Sequence, residues 1–212
     1  MFEIEYKGAN CVTISTKKLK LVIDPKLSIV GLKDITYKDA VQLITENRFI
    51  VNNIDSKLII DGPGEYGIAD FDIRGVPARR HIDKDSDRML STIYRIEVGE
   101  SRIGVIGNIS NKLDDDQLES IGVIDILIIP VGGNGYTLDA IDATKLVRII
   151  NPKIVIPIHY SDKSINYEVP QDSLEKFIAE MAVPVETMPK YKFKQISTAT
   201  SGMQIIEITR SN

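Results

Sequence analysis

The chain has 212 residues, 43% hydrophobic and 26% charged, which is enough apolar content to bury a sizeable core and too much for a disordered chain. Lys+Arg 26 against Asp+Glu 30 leaves a net charge of −4, which argues against a nucleic-acid footprint or a polybasic membrane surface. One cysteine, Cys11, excludes an internal disulfide framework, and two histidines, His81 and His159, leave little for any mechanism that needs a histidine cluster.

The N-terminal Met1-Phe2-Glu3-Ile4-Glu5-Tyr6 alternates with the period of a strand and has neither a cationic start nor an apolar run. No signal peptide is read there, and the cytoplasm is the expected compartment. No apolar run approaches ~20 residues, so no transmembrane helix is expected. Isoleucine outnumbers leucine 35 to 13, and a β-branched excess of that size favours sheet.

Strands are expected at 2–6, 11–16 and 19–24, with Lys17-Lys18 as a turn and Pro25 as a stop, then at 40–45. The segments 58–60, 66–68, 72–76, 92–98 and 102–106 read as a meander of short strands, turned by Gly62-Pro63-Gly64 and Gly99-Glu100. After Gly107 the period changes. Residues 114–121 look helical, with Asp114 to Asp116 complementing the N-terminus and Gly122 just past the end. The continuous apolar run 125–131 reads as a strand buried on both faces, and 153–158 as another. Helices are expected at 138–150 and 171–181, and a last strand at 204–209. Alternating Lys190-Tyr191-Lys192-Phe193-Lys194 reads as a lysine-protected edge strand.

Gly8-Ala9-Asn10-Cys11, Ile23-Asp24-Pro25, Pro63-Gly64-Glu65-Tyr66, Ile129-Pro130-Val131-Gly132-Gly133 and Ile156-Pro157-Ile158-His159-Tyr160 occur in that order. Together they resemble the metallo-β-lactamase superfamily, nearest to its small zinc-dependent, lactonase-like hydrolases. The resemblance implies an α/β fold, a four-layer αββα sandwich forming a single domain over 1–212, with its site where the loops after the strands meet.

The resemblance also implies two zinc ions about 3.5–4 Å apart that clamp a hydroxide, held by at least three protein ligands each. The family supplies these from an H-x-H-x-D-H segment, a later histidine, a bridging aspartate and a final histidine. In this chain the ligand segment begins at Glu46, with Arg48, Ile50 and Val51 at the other ligand positions. Only Glu46 among these can bind a metal. Asn108 stands at the place of the bridging carboxylate, Ala9 at that of a histidine in the first loop, and His81 and His159 at two matching histidine positions.

The expected pocket is therefore a vestigial one, formed by Asp24, Glu46, Arg48, His81, Asn108 and His159. Arg48 is expected to pair with Asp24, Glu46 or both, because a buried carboxylate without a partner is costly. No cofactor is expected on this reading, and the protein is a non-zinc pseudoenzyme or a module that binds a small molecule or a protein. The alternative is a divergent hydrolase of small phosphate esters or lactones with one zinc or other divalent metal on His81, His159 and Glu46. No nucleic-acid or membrane partner is expected, and a homo-oligomer is possible on either view. Read without the resemblance, His159 is a core or loop histidine, His81 a solvated one, and Cys11 a small buried hydrophobe.

Overall fold

The computed structural model describes residues 1–52, 55–84, 86–193 and 202–211. Lys194, the last residue of the expected lysine-rich edge strand, lies outside them. Two mixed sheets face each other. The first has the order β13-β1-β2-β3-β4-β5, from β1 (Phe2–Gly8), β2 (Cys11–Ser15), β3 (Lys20–Ile23), β4 (Val41–Leu43), β5 (Leu58–Ile60) and β13 (Tyr191–Phe193). The second is built from β6 (Gly64–Ile68), β7 (Phe71–Ala78), β8 (Ser91–Val98), β9 (Ser101–Val105), β10 (Ile126–Pro130), β11 (Ile154–Ile158), β12 (Val185–Met188) and β14 (Gln204–Ile208). Its order is β12-β14-β11-β10-β9-β8-β7-β6, antiparallel through the hairpins β6 to β9 and parallel from β9 to β12.

The isoleucine excess has a geometric use. Successive side chains of a strand face opposite ways, and β10 is buried at every position. Its Ile126 and Ile128 enter the core between the sheets, while Leu127 and Ile129 enter a second core under the helices. Strand β14 divides in the same way, with Ile206 and Ile208 on one side and Ile205 on the other. Each such side chain stabilises the fold by about 1.5–3 kcal/mol. A β-branched residue suits a pleated surface that is covered on both faces.

The α-helices are α1 (Asp115–Ile121), α2 (Ala140–Ile150) and α3 (Leu174–Met181). They contribute Ile121, Leu146, Val147, Phe177 and Met181 to the core outside the eight-stranded sheet. Asp114 caps α1 through a reciprocal pair with Gln117, the role expected for the aspartate run. Outside the six-stranded sheet the cover is thinner. There a 3-10 turn at Leu27–Val30 and the Ile165 loop close over Ala9, Cys11 and Val22. The expected layered sandwich forms, with that outer layer made of loop and 3-10 turn among the described residues. The short strand Val185–Met188 had no clear signal in the sequence, since it is a mostly exposed edge with little alternation.

β1, β3 and β4 share one direction within the first sheet and β7, β9, β10 and β11 within the second, and the contacts of Ala9 with His159 and of Thr45 with Thr92 bring these strand ends to a single edge of the sandwich. The segments that follow them carry Ala9 and Asn10, Asp24, Glu46, His81, Asn108, Gly132 and His159 in turn. No helix among the described residues is long and apolar enough to cross a membrane.

Candidate functional site

Three residues at this edge leave their strands in a conformation that L-residues avoid. Ala9, Asp24 and His159 have φ of 47°, 46° and 53°, and none is glycine. All three line one pocket, with Asn10, Lys26, Leu27, Arg48, Phe49, Tyr136, Tyr167, Glu168 and Gln171 completing most of its wall. Strained backbone persists only where its surroundings over-determine it, and it concentrates at functional sites. The inner space is tight, about 20 Å3, which is room for a water or a single hydroxyl group.

On one side of the pocket the polar groups are buried and neutral. Asp24 is fully buried, and Thr45 meets both of its oxygens. The Thr45 backbone N–H donates to Oδ1 at 2.8 Å, and Thr45 Oγ1 lies 2.6 Å from Oδ2. Burial raises the Asp24 carboxyl to about 8, against the lowering effect of those bonds, so it holds a proton at neutral pH. Gly107 permits this approach, since a Cβ there would lie 2.8 Å from Thr45 Cβ.

His159 donates its backbone N–H to Ala9 O at 3.0 Å, and its ring lies between Tyr136 and Tyr167 at 5.8 and 4.9 Å between centroids. Burial depresses the imidazole to about 4, so it is neutral at pH 7. The Asn10 side chain is buried with neither amide atom hydrogen-bonded.

The other side carries charge. Glu46, 6% exposed, has Arg48 Nε at 3.5 Å and Arg80 Nη1 at 4.0 Å from the same oxygen. Burial raises its pKa and the two guanidiniums oppose that rise. Arg48 also reaches Glu168 at 3.4 Å and stacks over Phe49 and Tyr136, 4.7 and 4.9 Å from the ring centroids. Arg80 is forked onto Asp83 at 2.6 Å. The pairing expected for Arg48 therefore forms with Glu46 and extends to Glu168, whereas Asp24 is taken by Thr45.

The six residues singled out in the sequence separate into two groups. Asp24, Arg48 and His159 line the pocket. Glu46, Asn108 and His81 sit on the charged side, where the His81 backbone N–H donates to Asn108 O at 2.8 Å. The side chain of Asn108 faces Glu46 and helps to lower its pKa, while Nδ1 of His81 is buried without a hydrogen-bond partner. Nothing in the sequence singled out Arg80, Tyr136, Tyr167, Glu168 or Gln171. Only Gly132 carried a signal for the last of these, as described below.

A family model described as the beta-lactamase superfamily domain matches residues 3–159. The chain belongs to the β-lactamase superfamily. Among curated relatives, a metal-dependent hydrolase of Thermus thermophilus is 23% identical over 195 residues, covering 76% of this chain and 84% of that protein. One from Carboxydothermus hydrogenoformans is 35% identical over 68 residues, 32% of this chain and 30% of its own length. A match to a relative from Aeropyrum pernix likewise spans only 37% of that protein. Of solved structures, a Thermotoga maritima protein of the metallo-β-lactamase superfamily superposes with a TM-score of 0.75 at 20% identity, covering 98% of this chain and all of the other.

These names overturn the expectation that no cofactor is called for. The relatives are named metal-dependent hydrolases, and a structural neighbour from Streptomyces venezuelae is CmlA, a diiron β-hydroxylase (TM-score 0.58, 15% identity, 84% of this chain and 49% of that one). The names of the curated relatives point to a metal for those proteins. The side chains of this chain do not form that ligand set as they stand. Among the described residues no three of His, Cys, Asp and Glu converge, and Glu46 is already held by two guanidiniums.

Proposed function

We propose that this chain is a divergent hydrolase of the superfamily, acting on a small phosphate ester or lactone held between Arg48 and His159, with 1–212 as one domain. The convergence of Ala9, Asp24 and His159, all in left-handed conformations, on one pocket carries this proposal. Arg48 at the mouth is the cation that meets an anionic or developing oxyanion oxygen. Asp24, hydrogen-bonded by Thr45 and with a pKa about 8, is a group able to give and take a proton near neutral pH. The names of the relatives make an added divalent metal part of the proposal's test.

The test is turnover. The purified chain is assayed as isolated, after chelation, and with added zinc, manganese or iron, against aryl phosphate esters and simple lactones, alongside elemental analysis. Hydrolysis that is reduced at least tenfold in Arg48→Ala supports the proposal. Absence of turnover on every substrate under every metal condition overturns it.

A second reading, binding without turnover of a small molecule or a protein, is favoured by one observation. Glu46, the sole residue of the ligand segment able to bind a metal, is neutralised by Arg48 and Arg80. Saturable ligand binding in the pocket with no hydrolysis under any of those conditions is the result that selects it.

A further inference from the structure

The motif Val131-Gly132-Gly133 lies beside His159 for a reason that neither the fold nor the proposed chemistry has used. A Cβ at position 132 would stand 2.2 Å from Gln171 Oε1 and 2.2 Å from the His159 carbonyl oxygen. The space that any side chain would take is occupied by the Gln171 carboxamide. Asp172 N–H donates to Gly132 O at 2.7 Å and pins the segment that carries Gln171 against this glycine.

The orientation of that carboxamide is determined by its other end. Gln171 Nε2 lies 2.9 Å from the carbonyl oxygen of Val169, which can only accept, so the NH2 group faces it. Oε1 is then the atom turned to His159 Nδ1, at 3.1 Å, and an amide oxygen cannot donate. Nδ1 must therefore carry a proton, which it donates to Gln171 Oε1. Nε2 is left as a bare lone pair on a ring fixed between Tyr136 and Tyr167.

We infer that Gln171 is a positioning residue that locks His159 as the Nδ1–H tautomer, so that the pocket selects a small anion carrying a hydroxyl, the kind of hydroxy acid that opening a lactone releases. The hydroxyl donates to His159 Nε2 and the anionic group meets Arg48. The size of the pocket agrees with this polarity. Its inner space suits one hydroxyl, and Arg48, about one-third exposed, stands toward solvent where a charged group can remain partly hydrated. The ligand half of this inference rests on the pocket being the site proposed above, while the tautomer half does not.

The two-histidine count makes the test direct. Long-range proton–nitrogen correlation spectra of the 15N-labelled full chain contain two imidazoles, and His81→Asn assigns them. At pH 7 the His159 ring is expected to show a protonated Nδ1 and an unprotonated Nε2. Gln171→Leu, which removes the acceptor, is expected to lose that single tautomer, and Gln171→Glu, which keeps an acceptor at Nδ1, to retain it. A protonated Nε2 in the unmodified chain, or an unchanged tautomer in folded Gln171→Leu, overturns the inference. Should Gln171→Leu fail to fold, the unmodified chain and Gln171→Glu still decide the tautomer.

The ligand half is read by titrating glycolate and methoxyacetate, which share a carboxylate but differ in the donor hydrogen. Glycolate is expected to shift the His159 signals with about fivefold tighter binding, the ratio supplied by one hydrogen bond of about 1 kcal/mol. The preference is expected to vanish in Gln171→Leu. Equal binding of the two acids overturns donor selection. A locked tautomer and glycolate preference in a chain that hydrolyses nothing would leave this inference standing while removing the proposed activity.

Discussion

The two sides of the pocket hold their polar residues by different physics. Around Asp24 and His159 the polar constraints are short and directional: two contacts from Thr45, one from Gln171, and backbone locked at positive φ. Around Glu46 the main constraints are charges at 3.5 to 4.0 Å, with Asn108 beside the carboxylate and His81 Nδ1 left unbonded nearby. Hydrogen bonds in a buried place fix position within tenths of an ångström. Ion pairs between part-exposed groups tolerate rearrangement and contribute little. The first side is thus built to keep one geometry and the second to keep a charge balance.

The sharpest way to break the rigid side is Gly132→Ala. The new Cβ meets a backbone oxygen as well as Gln171, so strain cannot be relieved by one flexible side chain. A loss of about 3 kcal/mol is expected, at the upper end for overpacking, and the urea midpoint measures it. A change under about 0.5 kcal/mol would show that this side is softer than the comparison claims.

Next in size is a pH effect of the buried acid. Folded Asp24, with a pKa about 8, keeps a proton that the unfolded carboxyl releases above its ordinary 3.8. The folded state thus binds more protons, and stability falls as pH rises between those values, by up to about 1.4 kcal/mol per unit. His159, depressed from 6.5 to about 4, works the other way, since the unfolded chain binds the extra proton and stability rises with pH over that interval. The two offset one another below pH 6.5, and Asp24 acts alone from 6.5 to 8. Stability should therefore decline across that window in the unmodified chain and stay level in Asp24→Asn, as followed by urea midpoints. Asparagine suits the left-handed backbone, so the variant isolates the charge.

On the charged side, Glu46→Gln is expected to cost about 1 kcal/mol. The carboxylate is buried, but both guanidiniums are part-exposed and keep Glu168 and Asp83. The loss should shrink in high salt, and a salt-independent loss above about 3 kcal/mol would erase the distinction between the two sides. Smallest of all is Arg74→Ala, which removes an exposed ion pair with Glu65 on the β6–β7 hairpin. A shift under about 0.5 kcal/mol is expected in the same denaturation assay.

The fold was largely legible because its signals are local. The doubly buried runs around Ile126–Pro130 and Ile154–Ile158, the aspartate cap of α1 and the glycine turns each show in a few adjacent residues. The site was half legible. Glu46, Arg48, Asn108 and His159 drew attention as departures from, or survivors of, a motif, and the strand ends do bring them to one edge. Tyr136 and Gln171 did not, because their roles come from contacts between segments far apart in the chain. The expectation that the altered ligand segment removes the need for any metal was wrong for a different reason. A ligand set read from one segment says nothing of what relatives with the same fold require.

Positive φ at Ala9, Asp24 and His159 also bears on how this protein can change. Glycine, asparagine, aspartate and histidine enter that conformation most readily, while valine, isoleucine and threonine resist it. A library randomised at the three positions should return one shared alphabet, small or capable of bonding its own backbone, whatever ligand is used for selection. Chemistry at this edge is thus drawn from a short list of side chains that the backbone sets in advance.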